Sequence, residues 1–180
     1  MYVVTGVTGN TGSVVARTLL ERGHKLRVVV REAHKGEPWA ARGAEVAIAW
    51  LDDPDALERA LRGALGAYLL SPPDARSSDV VAEARRRFAG IAHAVRAAKL
   101  PHAVLLSSVG AEHASGTGPI VSLHLAEQLL EPATALTALR PGYFQENWAM
   151  VLPIAKQDGV LPSFVPADVP VPTVATEDIG

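Results

Sequence analysis

The sequence contains no cysteine, only 5% aromatic residues and little net charge, with 17 basic and 19 acidic side chains among 180 residues. The absence of cysteine excludes a disulfide framework, a thiolate-ligated zinc or iron–sulfur site and a thiol nucleophile, so redox chemistry would need a bound cofactor. A formal net charge of −2 provides no overall field that would attract DNA, RNA or an anionic membrane. We therefore expect neither nucleic acid nor membrane as a partner.

Long apolar runs and targeting signals are also lacking. No apolar run approaches the roughly 20 residues that span a bilayer. The first residues, Met1 to Thr5, lead directly into glycines without the basic and apolar regions of a secretion signal. Five of the six histidines, at 24, 34, 93, 102 and 113, are scattered without ligand spacing, so no metal site is expected. We expect a soluble, cytoplasmic chain whose length suits one domain with a sizeable core.

Short runs rich in β-branched residues alternate with longer helical segments, which is typical of a parallel sheet covered by helices. The sequence predicts strands at 2–5, 26–30, 45–49, 65–70, 103–107 and 134–139. It predicts helices at 11–22, closed by Gly23, at 54–61, with Asp53 as N-cap, and at 77–98, starting at Ser77 or Ser78. The expected fold class is α/β, a three-layer, doubly wound parallel sheet of the Rossmann type with strand order 3-2-1-4-5-6.

Two segments carry further expectations. The helix at 77–98 should turn five side chains inward: Val81, Ala84, Phe88, Ile91 and Val95. Its run of three arginines at 85–87 is interpreted as a solvated face.

From Gln157 onward the hydrophobic periodicity fades and four prolines prevent long regular elements, leaving short strands at most. Thr176 is predicted to be the N-cap of a helical turn that ends at Ile179.

The most informative segment is VVTGVTGNTG at 3–12, which lies between a predicted strand and a predicted helix. In this context Gly6 permits a sharp turn, Gly9 lets the backbone approach a pyrophosphate, and Gly12 lets the helix pack closely on the strand. Free N–H groups at 10–13 would face phosphates at the positive end of the helix dipole. Thr8, Asn10 and Thr11 can add side-chain donors. The alternative is a glycine-rich turn without a ligand.

The residue that ends the second strand bears on which dinucleotide binds. NAD-specific sites place a carboxylate there for the ribose hydroxyls, whereas this strand ends in Arg31. A guanidinium can bind a 2′-phosphate through two hydrogen bonds, and Lys35 could add a second charge. Glu32 competes as a ribose ligand, and Arg31 could also be an ordinary exposed arginine. The pattern favours NADP(H), with NAD(H) as the alternative.

Three segments together, TGVTGNTG at 5–12, LLERGHKLRVVVR at 19–31 and LRPGYFQEN at 139–147, resemble the NmrA-like branch of the atypical short-chain dehydrogenases/reductases. The similarity extends over essentially the whole chain. It implies an NAD(P)-binding Rossmann domain at 1–156, followed at 157–180 by the start of a smaller, loop-rich region that covers the substrate and is incomplete. It also implies a small-molecule substrate. We expect a monomer or a homodimer.

The resemblance also assigns residues to the site. The pyrophosphate would be held by Gly6, Thr8, Gly9, Asn10, Thr11 and Gly12, and the 2′-phosphate by Arg31. Ser71 and Pro72 would border the adenosine and the nicotinamide ribose. Ser107 occupies the position of a catalytic hydroxyl. Pro141, Gly142 and Tyr143 would lie beside the nicotinamide. For the substrate pocket the candidates are Phe144, Asn147 and Trp148, although Phe144 and Trp148 could equally be core residues.

The sequence departs from relatives at two places. Where relatives often carry an aspartate for adenine, this chain has Trp50, which could stack on adenine or pack in the core, and Asp52 is the candidate for the polar contact. The Tyr-x-x-x-Lys acid/base pair of ordinary short-chain reductases is absent, because those positions hold Pro119 and Leu123.

Two side chains remain as candidate proton donors. His124 follows the missing lysine position and carries an imidazole, which exchanges protons near neutral pH. Tyr143 is the second candidate. The alternative for His124 is a structural role, bonded to Glu127, Glu131 or backbone.

The sequence therefore favours an NADPH-dependent oxidoreductase that transfers hydride from nicotinamide to a quinone or a similar conjugated carbonyl. Reduced quinone oxygens are stabilised as anions and can take protons from water, so the missing pair does not exclude reduction. The second hypothesis is a non-catalytic NADP(H)-binding redox sensor that acts through a protein partner.

Overall fold

The computed structural model describes residues 1–71, 79–163, 166 and 168–180. Its main sheet consists of β1 (Tyr2–Val4), β2 (Leu26–Val30), β3 (Glu45–Ile48), β4 (Gly66–Leu69), β5 (His102–Leu106) and β6 (Ala135–Leu139). All pairings are parallel and the order is β3-β2-β1-β4-β5-β6. The predicted fold class and strand order are confirmed, and the strand ends differ from the predicted ones by at most one residue.

Six α-helices accompany the strands in the described part of the chain: α1 (Asn10–Glu21), α2 (Ala33–Ala40), α3 (Pro54–Leu61), α4 (Val80–Ala97), α5 (Val121–Leu130) and α6 (Leu152–Asp158). The prediction for α3 is confirmed in detail, because Asp53 Oδ1 accepts a hydrogen bond from the Ala56 amide at 3.0 Å. Gly23 closes α1 at φ +75° and donates to the Leu20 carbonyl, as expected.

Side chains from the two faces of the sheet form two separate clusters, which gives three layers. On one face α3, α4 and α5 pack over residues such as Val3, Leu69 and Leu105. On the other face α1 and α2 cover residues that include Val4 and Val28. Alternate residues of β1 therefore enter opposite layers, as the period of a strand requires.

Helix α4 differs from its prediction at the N-terminus. It begins at Val80, and Asp79 is its N-cap, accepting from the Ala82 amide at 2.9 Å. The predicted start at Ser77 or Ser78 lies outside the described residues. Four of the five predicted inward residues are buried, but Val81 is 38% exposed. Val81 lies in the first turn of α4, before Ala84, the first buried residue of the helix.

The run of three arginines on α4 is only partly a solvated face. Arg85 and Arg86 are exposed, but Arg87 is half-buried. It lies one helical turn before the buried Ile91 and one after the half-buried Glu83. The prediction was therefore wrong for Arg87, because the helical repeat places its side chain on the side of α4 that faces the sheet edge.

The C-terminal segment returns to the end of β6. Two short parallel strands, β7 (Tyr143–Phe144) and β8 (Thr173–Val174), pair there. A 3-10 turn at Thr176–Ile179 then packs on α1, where Arg17 forms an ion pair with Glu177. Thr176 is not the predicted N-cap, because its hydroxyl donates to Glu146 Oε1 at 2.7 Å and its amide to the same oxygen at 2.8 Å.

No helix among the described residues is both long and apolar enough to cross a bilayer.

Candidate functional site

A cleft of about 1150 Å³ runs along the carboxyl ends of the main-sheet strands. It crosses the point between β1 and β4 where the strand order reverses, which is where open α/β sheets bind ligands. Its lining comes from three regions. The loop after β1 contributes Gly6, Thr8, Gly9 and Thr11; the ends of β2, β3 and β4 contribute Arg31, Glu32, Lys35, Trp50, Asp52 and Ser71; the far end contributes Ser107, Ile120, Leu123, Pro141, Gly142, Tyr143, Phe144, Asn147, Val171 and Pro172.

The loop after β1 has the close contacts that its glycines permit. Gly6 turns off the strand at φ +68°. A Cβ on Gly12 would lie 2.4 Å from the Gly6 carbonyl oxygen and 2.8 Å from the Thr5 carbonyl oxygen, so no side chain fits there. A Cβ on Gly9 would meet only the Gly6 oxygen, at 3.4 Å. Helix α1 therefore starts immediately against the loop, with its first amides directed out of the turn.

Only some residues of the loop after β1 line the cleft. Thr8 and Thr11 line it, whereas Asn10 is exposed and, like Gly12, is not part of the lining. The Ser13 amide donates to the Gly9 carbonyl at 3.2 Å. The expected set of free amides at 10–13 was therefore wrong for Ser13, since its N–H makes the first bond of the helix.

Two cations lie at one end of the cleft. Arg31 and Lys35 are both exposed, and neither forms an ion pair with any residue that the structure describes. The competing carboxylate, Glu32, lies 3.6 Å from His34 Nδ1 through its Oε2. This end of the cleft therefore offers two cationic side chains that no described carboxylate binds directly.

Trp50 and Asp52 lie beside these cations. Trp50 is 53% exposed, so the core alternative was wrong, and the Arg31 guanidinium carbon lies 5.3 Å from its ring centroid. Asp52 accepts from Arg87 Nε at 2.8 Å, and Arg87 Nη1 donates to Ser71 Oγ at 3.2 Å.

Sequence reasoning missed Arg87 as a cleft residue. Burial lowers the pKa of Arg87, but the hydrogen bonds and negative charges of Asp52 and Glu83 raise it by more. The net shift of the Arg87 pKa is therefore upward. The guanidinium is therefore fully charged, and it lines the cleft between the β3 and β4 ends. Pro72, predicted next to Ser71, lies outside the described residues.

The opposite end of the cleft is mainly apolar. Ile120 and Leu123 form its wall. Leu123 stands at the position of the lysine of the acid/base pair in ordinary short-chain reductases, whereas Pro119, at the tyrosine position, is not part of the lining. Phe144 and Asn147 also face the cleft. Trp148 is half-buried outside the lining and packs on Tyr143, with ring centroids 5.4 Å apart.

The hydroxyl of Ser107 is already engaged. Ser107 and Glu127 are both buried, and Ser107 Oγ donates to Glu127 Oε1. Arg140 Nε donates to the same oxygen at 3.0 Å, and its Nη2 donates to Oε2. Burial raises the pKa of Glu127, but hydrogen bonds from Arg140 and Ser107 outweigh it, and the net shift is downward. Glu127 is thus a carboxylate at neutral pH, and the Ser107 hydroxyl proton is held in its hydrogen bond to Glu127.

The remaining proton-donor candidates differ in position. His124 does not line the cleft, and its Nδ1 lies 2.8 Å from the Ala111 carbonyl oxygen, which corresponds to the structural alternative. Tyr143 is 40% exposed at the edge of the cleft. Among the residues that the structure describes, none hydrogen-bonds the Tyr143 hydroxyl.

Comparison with known proteins agrees with this geometry. The profile of the NmrA-like family matches residues 2–180. The chain belongs to the NmrA-like family. Among curated relatives, it is 29% identical over 163 residues to the NAD(P)H azoreductase of Xenophilus azovorans, with 88% of this chain and 54% of the azoreductase covered. It is 28% identical over 166 residues to quinone oxidoreductase 2 of Escherichia coli (strain K12), covering 89% of this chain and 54% of that protein.

Solved structures extend the comparison. The crystal structure of an Escherichia coli NADPH-dependent quinone oxidoreductase complexed with NADPH superimposes with a TM-score of 0.75 at 25% identity, covering 88% of this chain and 55% of that one. The Citrobacter sp. triphenylmethane reductase complexed with NADP(H) gives a TM-score of 0.73 at 23% identity over 82% and 51% of the two chains, which shows the shared fold. The present NmrA-like chain spans about half the length of the curated relatives it matches.

Proposed function

We propose that the protein is an NADPH-dependent oxidoreductase that reduces a quinone or a similar conjugated carbonyl. The observation that carries this proposal is the division of one cleft into two regions: a glycine loop near two cations that form no ion pair with any described residue, and a mainly apolar far end. The curated relatives are an azoreductase and a quinone oxidoreductase, both of which act on conjugated acceptors by name.

The residues present fit the dinucleotide. The opening at Gly9 and the first amides of α1 suit a pyrophosphate, with Thr8 and Thr11 as added donors. Arg31 and Lys35 would bind the 2′-phosphate, and NAD(H), which lacks it, would bind more weakly. We assign this binding to residues 1–156 and substrate cover to residues 157–180, where Val171 and Pro172 line the far end.

When bound, NADPH would supply the hydride. The protein would position it and hold the acceptor against the apolar wall of Ile120, Leu123 and Phe144. Because that wall carries no acid, the acceptor must bear its new negative charge by conjugation and take its proton from water or from Tyr143. Ser107 can only accept a hydrogen bond from a bound ligand while Glu127 is ionised.

The engaged Ser107 hydroxyl and the engaged His124 ring also favour a second candidate, an NADP(H)-binding redox sensor without turnover. A panel of quinones and an azo dye, mixed with protein and NADPH, separates the two by loss of absorbance at the nicotinamide band. Oxidation that saturates with acceptor supports the enzyme. Tight NADPH binding with no oxidation on any acceptor would contradict it and support the sensor.

The cofactor assignment has its own test. Arg31→Ala should weaken NADPH binding by about 10- to 100-fold, because it removes charge-assisted hydrogen bonds to the phosphate, and should leave NADH binding nearly unchanged. Arg86→Ala, an exposed arginine of α4 outside the cleft, is the matched control. Equal affinity of wild type and Arg31→Ala for NADPH would refute the assignment.

A further inference from the structure

Trp50 is a large apolar side chain that stands in the cleft instead of the core. It is 53% exposed, and the Arg31 guanidinium carbon lies 5.3 Å from its ring centroid. Within the described residues this ring contact is the only interaction of the Arg31 side chain. The guanidinium is thus positioned by an aromatic face, with all its N–H donors still available.

The two partners differ in rigidity. The Ala49 amide donates to the Val30 carbonyl at 3.0 Å, so the backbone is paired up to the residues that directly precede Trp50 and Arg31. The Trp50 carbonyl then accepts from the Asp53 amide at 3.1 Å, which fixes the turn into α3. An indole has two side-chain torsions, whereas arginine has a long flexible chain whose ordering costs entropy on binding. The indole therefore restricts Arg31 before any ligand arrives.

We infer that Trp50 is a specificity-determining residue, whose ring holds Arg31 where a ligand 2′-phosphate would lie and so increases the preference for a phosphorylated adenosine ribose. This inference rests on the proposed NADPH binding. Its alternative is that Trp50 stacks on the adenine ring, which would strengthen phosphorylated and unphosphorylated ligands equally.

The two roles separate with two small probes, adenosine 2′,5′-bisphosphate and adenosine 5′-monophosphate, titrated calorimetrically into the full chain. Trp50→Ala and Trp50→Leu should each weaken the bisphosphate by about two- to fivefold, the strength of an exposed cation–π contact. The monophosphate should bind with unchanged affinity. Trp50→Leu keeps an apolar side chain, so agreement between the two variants attributes the loss to the aromatic face. Thermal unfolding confirms that each variant is folded.

A double-mutant cycle provides the decisive comparison. In an Arg31→Ala background, Trp50→Ala should have no further effect on the bisphosphate, because the indole acts through the guanidinium. Arg42→Ala is the matched control: Arg42 lies 5.6 Å from the Trp39 ring centroid, outside the cleft, and its loss should change neither affinity.

Every other result of these titrations contradicts one identifiable part of the inference. Equal weakening of both probes by Trp50→Ala, or no weakening of either, would refute the specificity role while leaving the proposed function intact. Additive effects of the Trp50 and Arg31 substitutions would refute the coupling. Failure of the wild-type chain to bind the bisphosphate or NADPH would refute the proposed function itself.

Discussion

Alanine at Gly12 and alanine at Gly9 add the same methyl group at two places in one turn, and we expect them to damage different properties. The methyl at position 12 would lie 2.4 Å from the Gly6 carbonyl oxygen and 2.8 Å from that of Thr5, both backbone atoms. Relieving the shorter contact requires a shift of roughly 0.6 Å or more between α1 and the loop, which is overpacking.

The magnitude follows from two opposing effects. Overpacking costs about 1–3 kcal/mol, and the upper half of that range applies because backbone must move. Alanine regains about 0.5–1 kcal/mol over glycine inside a helix. The net loss of about 1–2.5 kcal/mol lowers Tm by about 2–10 °C for a chain of this size.

Gly9→Ala should have little effect on stability and a large effect on NADPH binding. Its methyl would lie 3.4 Å from the nearest atom, an ordinary contact, and Gly9 has an extended backbone at φ −103°. The cost at this N-cap is less than about 1 kcal/mol. However, Gly9 lines the cleft. If the pyrophosphate approaches this backbone, the added methyl displaces it, and the loss of one or two charge-assisted hydrogen bonds weakens NADPH binding by about 10- to 100-fold.

Thermal unfolding by circular dichroism and NADPH titration on the same preparations measure both properties. An unchanged Tm for Gly12→Ala would refute the tight packing of α1 on the loop. Wild-type NADPH affinity for Gly9→Ala would refute the position assigned to the pyrophosphate.

Two further substitutions test the supports of the site. Thr5→Val removes a buried hydroxyl that donates to one backbone carbonyl of β4 and accepts from the amide that follows that strand, each at 3.1 Å; we expect a loss of about 1–3 kcal/mol in urea unfolding, largely restored by Thr5→Ser. Glu127→Gln should destabilise the protein at neutral pH. Because the folded pKa of Glu127 is lowered, its contribution is present above the ordinary value of 4.5 and is lost as the pH falls through the folded pKa. The difference in urea midpoint between wild type and Glu127→Gln should therefore shrink in acid, and a constant difference would contradict the assigned charge.

Most of the main sheet could be predicted because its signals are local. Asp53 and Pro54 mark the start of α3, and the strands are short β-branched runs. Helix α2 was not predicted, because Gly36 and Pro38 within it suggest a loop. The structure supplies the reason for the glycine: a Cβ there would lie 2.4 Å from Val46, so only glycine lets α2 lie close to β3.

The candidate site was predicted less completely, since its residues depend on tertiary contacts. Arg87 could have been found from helical phase, because it lies on the same face of α4 as Phe88 and Ile91. No local signal places the Ser107 hydroxyl on Glu127, which lies 20 residues away on another element. The two-residue strands β7 and β8 have no periodicity to detect, and their pairing depends on contacts such as that of Gly142 with the Pro172 backbone.

The 3-10 turn at Thr176–Ile179 has a consequence for local opening. It bonds the Glu146 carboxylate on one side and the Arg17 side chain of α1 on the other. Fraying of this turn would release both attachments at once, so slow amide exchange in the adjoining part of α1 and around β7 should be lost together. We therefore expect α1 and the segment around β7 to open as one cooperative unit.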